Sequence, residues 1–99
     1  MDEQFELNKM LALATLKGLE ENLQNCIKKI EEENEKFKKE LDPALLSKVT
    51  DSKIQTGLAF NNFEGALTIC VIADFYDSND AMTKLREYKD AILIANRGF

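Results

Sequence analysis

Three aspartates, Asp74, Asp77 and Asp80, recur every third residue across "ADFYDSND". On a helix that spacing would gather three carboxylates on one side, a start towards a divalent-cation site or a general acid–base pair. The neighbouring residues point elsewhere. A calcium loop needs alternate-position ligands, a glycine at its turn and a distal glutamate, and none of these fits here. Asp, Ser and Asn ahead of an apolar-periodic run are residues that cap helix N-termini. Cap and turn is therefore the expected role of these aspartates, and neither a metal ligand nor a catalytic residue is assigned.

Other chemistries lack their parts. The chain has no histidine, which removes the commonest general base and metal ligand. Cys26 and Cys70 are isolated, with no C-x-x-C spacing. They cannot make a zinc site alone, and a cysteine nucleophile would lack its histidine. In a reducing compartment both read as small buried hydrophobes. There is no P-loop, no G-x-G-x-x-G and no G-x-S-x-G. The expectation is a protein that is not an enzyme and holds no cofactor.

Binding remains. The net charge of −5, from 18 acidic and 13 basic residues, argues against nucleic acid as a partner. Lys28, Lys29, Lys36, Lys38 and Lys39 lie close together but alternate with glutamates, the pattern of a solvated helix face. Lys84 and Arg86 are the candidate residues for a small anionic ligand. They sit in "AMTKLRE" (81–87), which resembles a short A-x-T-K-L-x-E stretch near the C-terminus of phage proteins that sequester cyclic oligonucleotides to block CBASS defence. The resemblance covers seven of 99 residues. The chain departs from it at Tyr88-Lys89-Asp90, with no following Met-Trp. The resemblance implies a helical oligomer with ligand pockets between subunits, where Lys84 and Arg86 would meet phosphate.

The elements that would position these residues are mostly helical. Residues 4–41 read as one long helix. Leu13, Leu16, Leu19, Leu23, Cys26, Ile27, Ile30, Phe37 and Leu41 recur at steps of three and four, and Glu33-Asn34 interrupts the stripe. Opposite charges four apart (Lys28–Glu32, Lys29–Glu33, Glu32–Lys36, Glu35–Lys39, Lys36–Glu40) mark an exposed surface. Asp42-Pro43 ends this helix and begins another, "PALLSKV". "TDS" at 50–52 offers a kink or a fresh start. Near the C-terminus, Ser78, Asn79 or Asp80 caps a helix over about 79–97, with Ala81, Leu85, Tyr88, Ile92, Ala95 and Phe99 on one side. Arg97-Gly98 is its expected terminator, and Phe99 is expected to fold back onto the core.

Residues 53–77 admit two readings. As a hairpin, Ile54, Thr56, Leu58 and Phe60 alternate along one strand, "NNFEG" turns, and "ALTICVIADFY" is the second strand. As a helix, Phe60, Phe63, Leu67, Cys70 and Val71 share one side, while Ile69, Ile72 and Tyr76 make a second apolar face. A helix apolar all round is buried on both sides. Gly57 and Gly65 count against it, at about 1 kcal/mol each relative to alanine. The helix is the expectation, since a lone two-stranded hairpin needs cover.

The fold class expected is all-α: a three-helix bundle, or a four-helix one if 43–77 breaks, in a single domain over 1–99. The alternative is α+β with the 53–77 hairpin. At this length a chain buries about two thirds of its unfolded surface and is marginal alone. The expected function is therefore a small interaction protein (adaptor, inhibitor or small chaperone) that self-associates as a dimer or higher oligomer and meets a protein partner. The candidate interface is Leu16, Leu19, Leu23, Cys26, Ile30, Phe37 and Leu41. The second reading is an oligomeric sponge for an anionic nucleotide ligand. No apolar run reaches the roughly 18 residues that span a bilayer, and "MDEQFEL" lacks the basic start of a secretory signal. The expectation is a cytoplasmic protein without a membrane partner.

Overall fold

Each of the three helices starts on an aspartate. The computed structural model describes residues 2–97. Asp2 accepts from the Gln4 N–H and opens α1 (Glu3–Glu40). Asp42 accepts from the Ala44 N–H and opens α2 (Pro43–Ile72), with Pro43 at its first position. Asp77 accepts from the Asp80 N–H at 3.0 Å and opens α3 (Ser78–Asn96). A carboxylate there satisfies an orphan amide and meets the positive end of the helix dipole. The α3 cap is thus one residue earlier than the expected Ser78, Asn79 or Asp80. Phe99 and Gly98, the expected staple and terminator, lie outside the described residues.

The stops are equally local. Leu41 takes the left-handed conformation (φ 51°) and donates its N–H to Phe37 O, so α1 ends at Glu40. Leu41, read as the last member of the apolar stripe, is outside the helix and 70% exposed. At the end of α2, Asp74 (φ 62°) is left-handed, and Phe75 N–H returns to Cys70 O at 2.8 Å. That is a Schellman closure with aspartate where glycine is commoner.

The fold is a three-helix bundle, and the 53–77 segment is helical through Ile72. α2 runs antiparallel to α1. The Phe5 and Phe75 rings meet edge-on at 5.3 Å at one end. Further along, the Ser52 hydroxyl donates to Glu33 Oε2 at 2.6 Å. α3 then runs parallel to α1, matching Lys84 to Glu20 and Ala95 to Asn34. The long axis is 59 Å, close to the ~57 Å expected of α1 alone at 1.5 Å per residue. α3 is half as long as α1 and covers only its middle.

No break occurs at "TDS", because its side chains have other uses. Thr50 bonds back to Leu46 O at 3.0 Å, Ser52 reaches Glu33, and Asp51 faces solvent. Of the charge pairs read four apart on α1, Lys29–Glu33 closes at 4.0 Å, and Lys38–Glu35 at 3.6 Å is a pair at a different spacing. The Lys38–Glu35 pair is exposed on both sides and contributes little.

The core joins Leu16, Leu23, Ile27 and Ile30 of α1 to Ala59, Phe60, Phe63, Leu67 and Cys70 of α2, with Ala81 and Ala95 of α3. Phe63, Leu23, Ile30 and Leu67 are fully buried. Each such side chain contributes about 1.5–3 kcal/mol from apolar burial. The Glu33-Asn34 interruption is half resolved by burial: Asn34 is 3% exposed and donates its amide to Ala95 O at 2.9 Å.

Leu41 gives a direct stability test. A leucine in the left-handed region is strained by its Cβ, whereas glycine is not. Leu41→Gly is expected to raise unfolding free energy by about 0.5–1 kcal/mol in urea titration. A fall instead would mean that the exposed leucine makes a contact in solution.

Candidate functional site

Lys84 and Arg86 are placed apart. Two residues along a helix is about 200° of rotation, so they project to different sides of α3. Arg86 is exposed. Lys84 is half-buried and pairs with Glu20 of α1 at 3.2 Å. The same carboxylate accepts from the Tyr88 hydroxyl, which in turn accepts from Gln24 Nε2 at 2.8 Å. This Glu20–Lys84–Tyr88–Gln24 group ties α3 to α1, and Phe63 meets the Tyr88 ring edge-on at 5.4 Å. Burial alone would lower the Lys84 pKa, but the hydrogen bond and charge of Glu20, with a further contribution from Tyr76, outweigh it and hold the ammonium above its ordinary value. Burial, reinforced by the Glu20 carboxylate, pushes the Tyr88 phenol up to about 12. A phosphate at Lys84 would have to displace Glu20.

The hollow between α1 and α2 is balanced in charge. It has a volume of 570 Å³, is open, and is lined by Cys26, Lys29, Glu33, Lys48, Asp51, Ser52 and Gln55. Two lysines face two carboxylates there, which leaves no net attraction for an anion. Cys26 and Cys70 carry free thiols, and burial pushes the Cys70 thiol up, away from the reactive thiolate. Among the described residues no His, Cys, Asp or Glu cluster could hold a metal, and no helix is long and apolar enough to cross a membrane.

The residues read as an interface on α1 have divided. Leu16, Leu23 and Ile30 are 5%, 0% and 0% exposed in the chain's own core. Leu19, Cys26 and Phe37 are half-buried, and Leu41 is exposed. A second chain cannot meet Leu23 or Ile30 unless α1 and α2 separate.

Large apolar side chains stay open on all three helices, among them Met82, Leu93 and Ile94 of α3, and the longest row of them is on α2. Its inner side carries Ala59, Phe60, Phe63, Leu67 and Cys70 into the core. Its opposite side carries Ile54, Leu58, Ile69 and Ile72, which are 57%, 53%, 64% and 77% exposed. Asn61, Gly65 and Thr68 complete this outer stripe, with Gly57 at its edge. A Cβ added at Gly57 or Gly65 would meet nothing within 4 Å. Neither glycine is needed for packing inside the chain, yet each costs the helix about 1 kcal/mol relative to alanine. The sequence signal for this face was the second apolar side at Ile69 and Ile72. Its extension back to Ile54 and Leu58 was missed, because those residues also suited a strand. A smaller patch, Leu7, Met10 and Leu11, lies on the outer side of α1 near its start.

Comparison with protein-family models, with curated proteins and with solved structures finds no match to this chain.

The polar tie between α1 and α3 has a defined pH signature. The folded Tyr88 pKa is above its ordinary value of 10. Its contribution is therefore fully present below pH 10 and is lost as pH rises towards 12. Lys84, also raised, acts in the same direction. Tyr88→Phe should cost about 1 kcal/mol at neutral pH. It should also abolish the tyrosinate absorbance step near pH 12 and shallow the alkaline loss of stability. An unchanged titration would remove Tyr88 from the tie.

Proposed function

We propose that this chain is a non-enzymatic interaction module that works by self-association, with the outer face of α2 as its docking surface. One observation carries the reading: Ile54 with Leu58, and Ile69 with Ile72, form two apolar pairs, each side chain more than half exposed, on the side of α2 opposite its core, with the small or polar Asn61, Gly65 and Thr68 between them. Four large aliphatic side chains on one side of a single helix are more than the lone exposed hydrophobes that a surface ordinarily carries. A domain of this length also benefits from burying more surface than it can alone. Adaptor, inhibitor and small chaperone are the roles that fit a binder without chemistry of its own.

The anionic-ligand reading takes second place. It draws on the "AMTKLRE" resemblance and on Lys84 and Arg86, which lie on different sides of α3 with Lys84 already paired to Glu20.

Native mass spectrometry across a concentration series tests both. Wild type is expected at a multiple of 11.3 kDa with no added mass. The Ile69→Asp, Ile72→Asp double variant is expected as a monomer with its helical circular dichroism intact, since both sites are exposed. Leu23→Asp or Ile30→Asp should instead lose helix, because each would bury an unpaired charge. A double variant that keeps the wild-type mass would sink the α2 surface. A wild type that is monomeric throughout would sink self-association. A few hundred extra daltons per chain would bring the ligand reading forward.

A further inference from the structure

We propose that α3 is an exchangeable element. The turn between α2 and α3 straightens into helix, and α3 docks on the α1–α2 pair of a second copy of the chain, which returns its own α3. This goes beyond the docking reading, because exchange takes place as chains fold together and needs no contact through Ile69 or Ile72.

The connection itself carries the inference. α2 and α3 are joined by Ala73-Asp74-Phe75-Tyr76-Asp77, which holds neither glycine nor proline. Every residue of it is free to be helical. Phase is kept as well. Steps of three and four run from Phe63, Leu67 and Cys70 through Asp74 and Asp77 to Ala81, Leu85 and Tyr88. The inward sides of α2 and α3 would therefore form one stripe on a single helix of about 80 Å from Pro43 to Asn96. Asp74 and Asp77 are the charged members of that stripe, and these two make the turn. Asp74 takes the left-handed conformation at φ 62°, an uncommon one for a residue with a Cβ. Asp77 caps α3. The turn between α1 and α2 cannot open in this way. Pro43 lacks an N–H and its ring would clash with the carbonyl four residues back, and Asp42 before it is kept out of the helical region. A short connection under strain is the feature that invites exchange between copies.

The contacts that α3 makes in its own chain are reproduced on another copy. Its buried residues are two alanines, Ala81 and Ala95, so it commits less apolar surface to the core than either long helix. Its polar ties to α1 run from Lys84 and Tyr88 to Glu20, and from the Ala95 carbonyl to Asn34. None of these involves the connection. The same ties form whether Glu20 and Asn34 belong to the same chain or to the second, and a two-fold exchange satisfies both copies at once.

The Glu20–Lys84 pair supplies the test. Lys84 Nζ lies 3.2 Å from Glu20 Oε2, close enough for a zero-length carbodiimide to join them as an amide. Isotope-labelled and unlabelled full-length protein are mixed in equal amounts, unfolded in urea and refolded together at high concentration. They are then coupled and digested, and the Glu20–Lys84 linked peptides are weighed. Exchange predicts that, in the dimer fraction, about half of those links join a labelled to an unlabelled peptide. Links within one label only, in a protein that is dimeric by native mass, would overturn exchange and leave self-association standing. The absence of any dimer fraction would overturn exchange as well. Two hinge variants give a second readout, since Asp74 and Asp77 are exposed and neither change disturbs the core. Asp74→Ala with Asp77→Ala removes the turn's preference and the cap, so the dimer yield after refolding should rise about tenfold or more. Asp74→Gly favours the left-handed turn, so the yield should fall about threefold or more. Yields equal to wild type in both would overturn the connection as the hinge.

Discussion

The antiparallel seam between α1 and α2, centred on Leu23, Ile30, Phe63 and Leu67, is the constraint from which the rest of the molecule follows. These side chains are fully buried, and they come from the two long helices that alone span most of the 59 Å axis. α3 does not create this seam; it lies over its middle. Its buried positions are small, Ala81 and Ala95, so it approaches closely and closes the core with Leu85, Tyr88 and Ile92 half-buried at the margin.

Because α3 contributes little apolar volume, its register depends on polar contacts to α1. Glu20 holds Lys84 and Tyr88 at one end, and Asn34 reaches Ala95 O at the other. Such bonds are directional and fix where α3 stops sliding, while their net contribution to stability is modest. The same pairing occupies Lys84, the residue best placed in the sequence to meet an anion. One residue cannot at once neutralise a buried-side carboxylate and remain free for phosphate.

α2 differs from its neighbours in having two apolar sides and one of them unused inside the chain. A helix with that composition is normally covered on both faces. Within the chain only one cover is available, since α1 and α3 both sit on the Phe63 side. Gly57 and Gly65 lie on this open side, where a Cβ would meet nothing within 4 Å, as is also true of Gly18 on α1.

The helical nature of the two outer elements, the start of α2 and the core stripe were legible from residues alone, while the α3 cap falls one residue early, at Asp77, and α2 passes unbroken through 50–52. Asp42-Pro43 marks the first break, the Leu16, Leu23, Ile27 and Ile30 spacing marks the inner face of α1, and Ala81, Leu85, Tyr88, Ile92 and Ala95 mark that of α3. These are local matters of caps and periodicity, decided within one or two turns. What neighbours a face acquires is a different kind of fact. Periodicity shows that α2 has two apolar sides but not which turns inward. The side bearing Phe60, Phe63 and Leu67 wins because its larger side chains fill the space facing α1 and α3. Likewise Asn34 reads as a flaw in a stripe until α3 brings a carbonyl to it from 61 residues away. The α1 stripe looked free to bind a second chain because the sequence does not reveal that α2 returns along it. Only the folded arrangement assigns that surface to the core and leaves the outer face of α2 open, since each apolar face can be buried against only one neighbour.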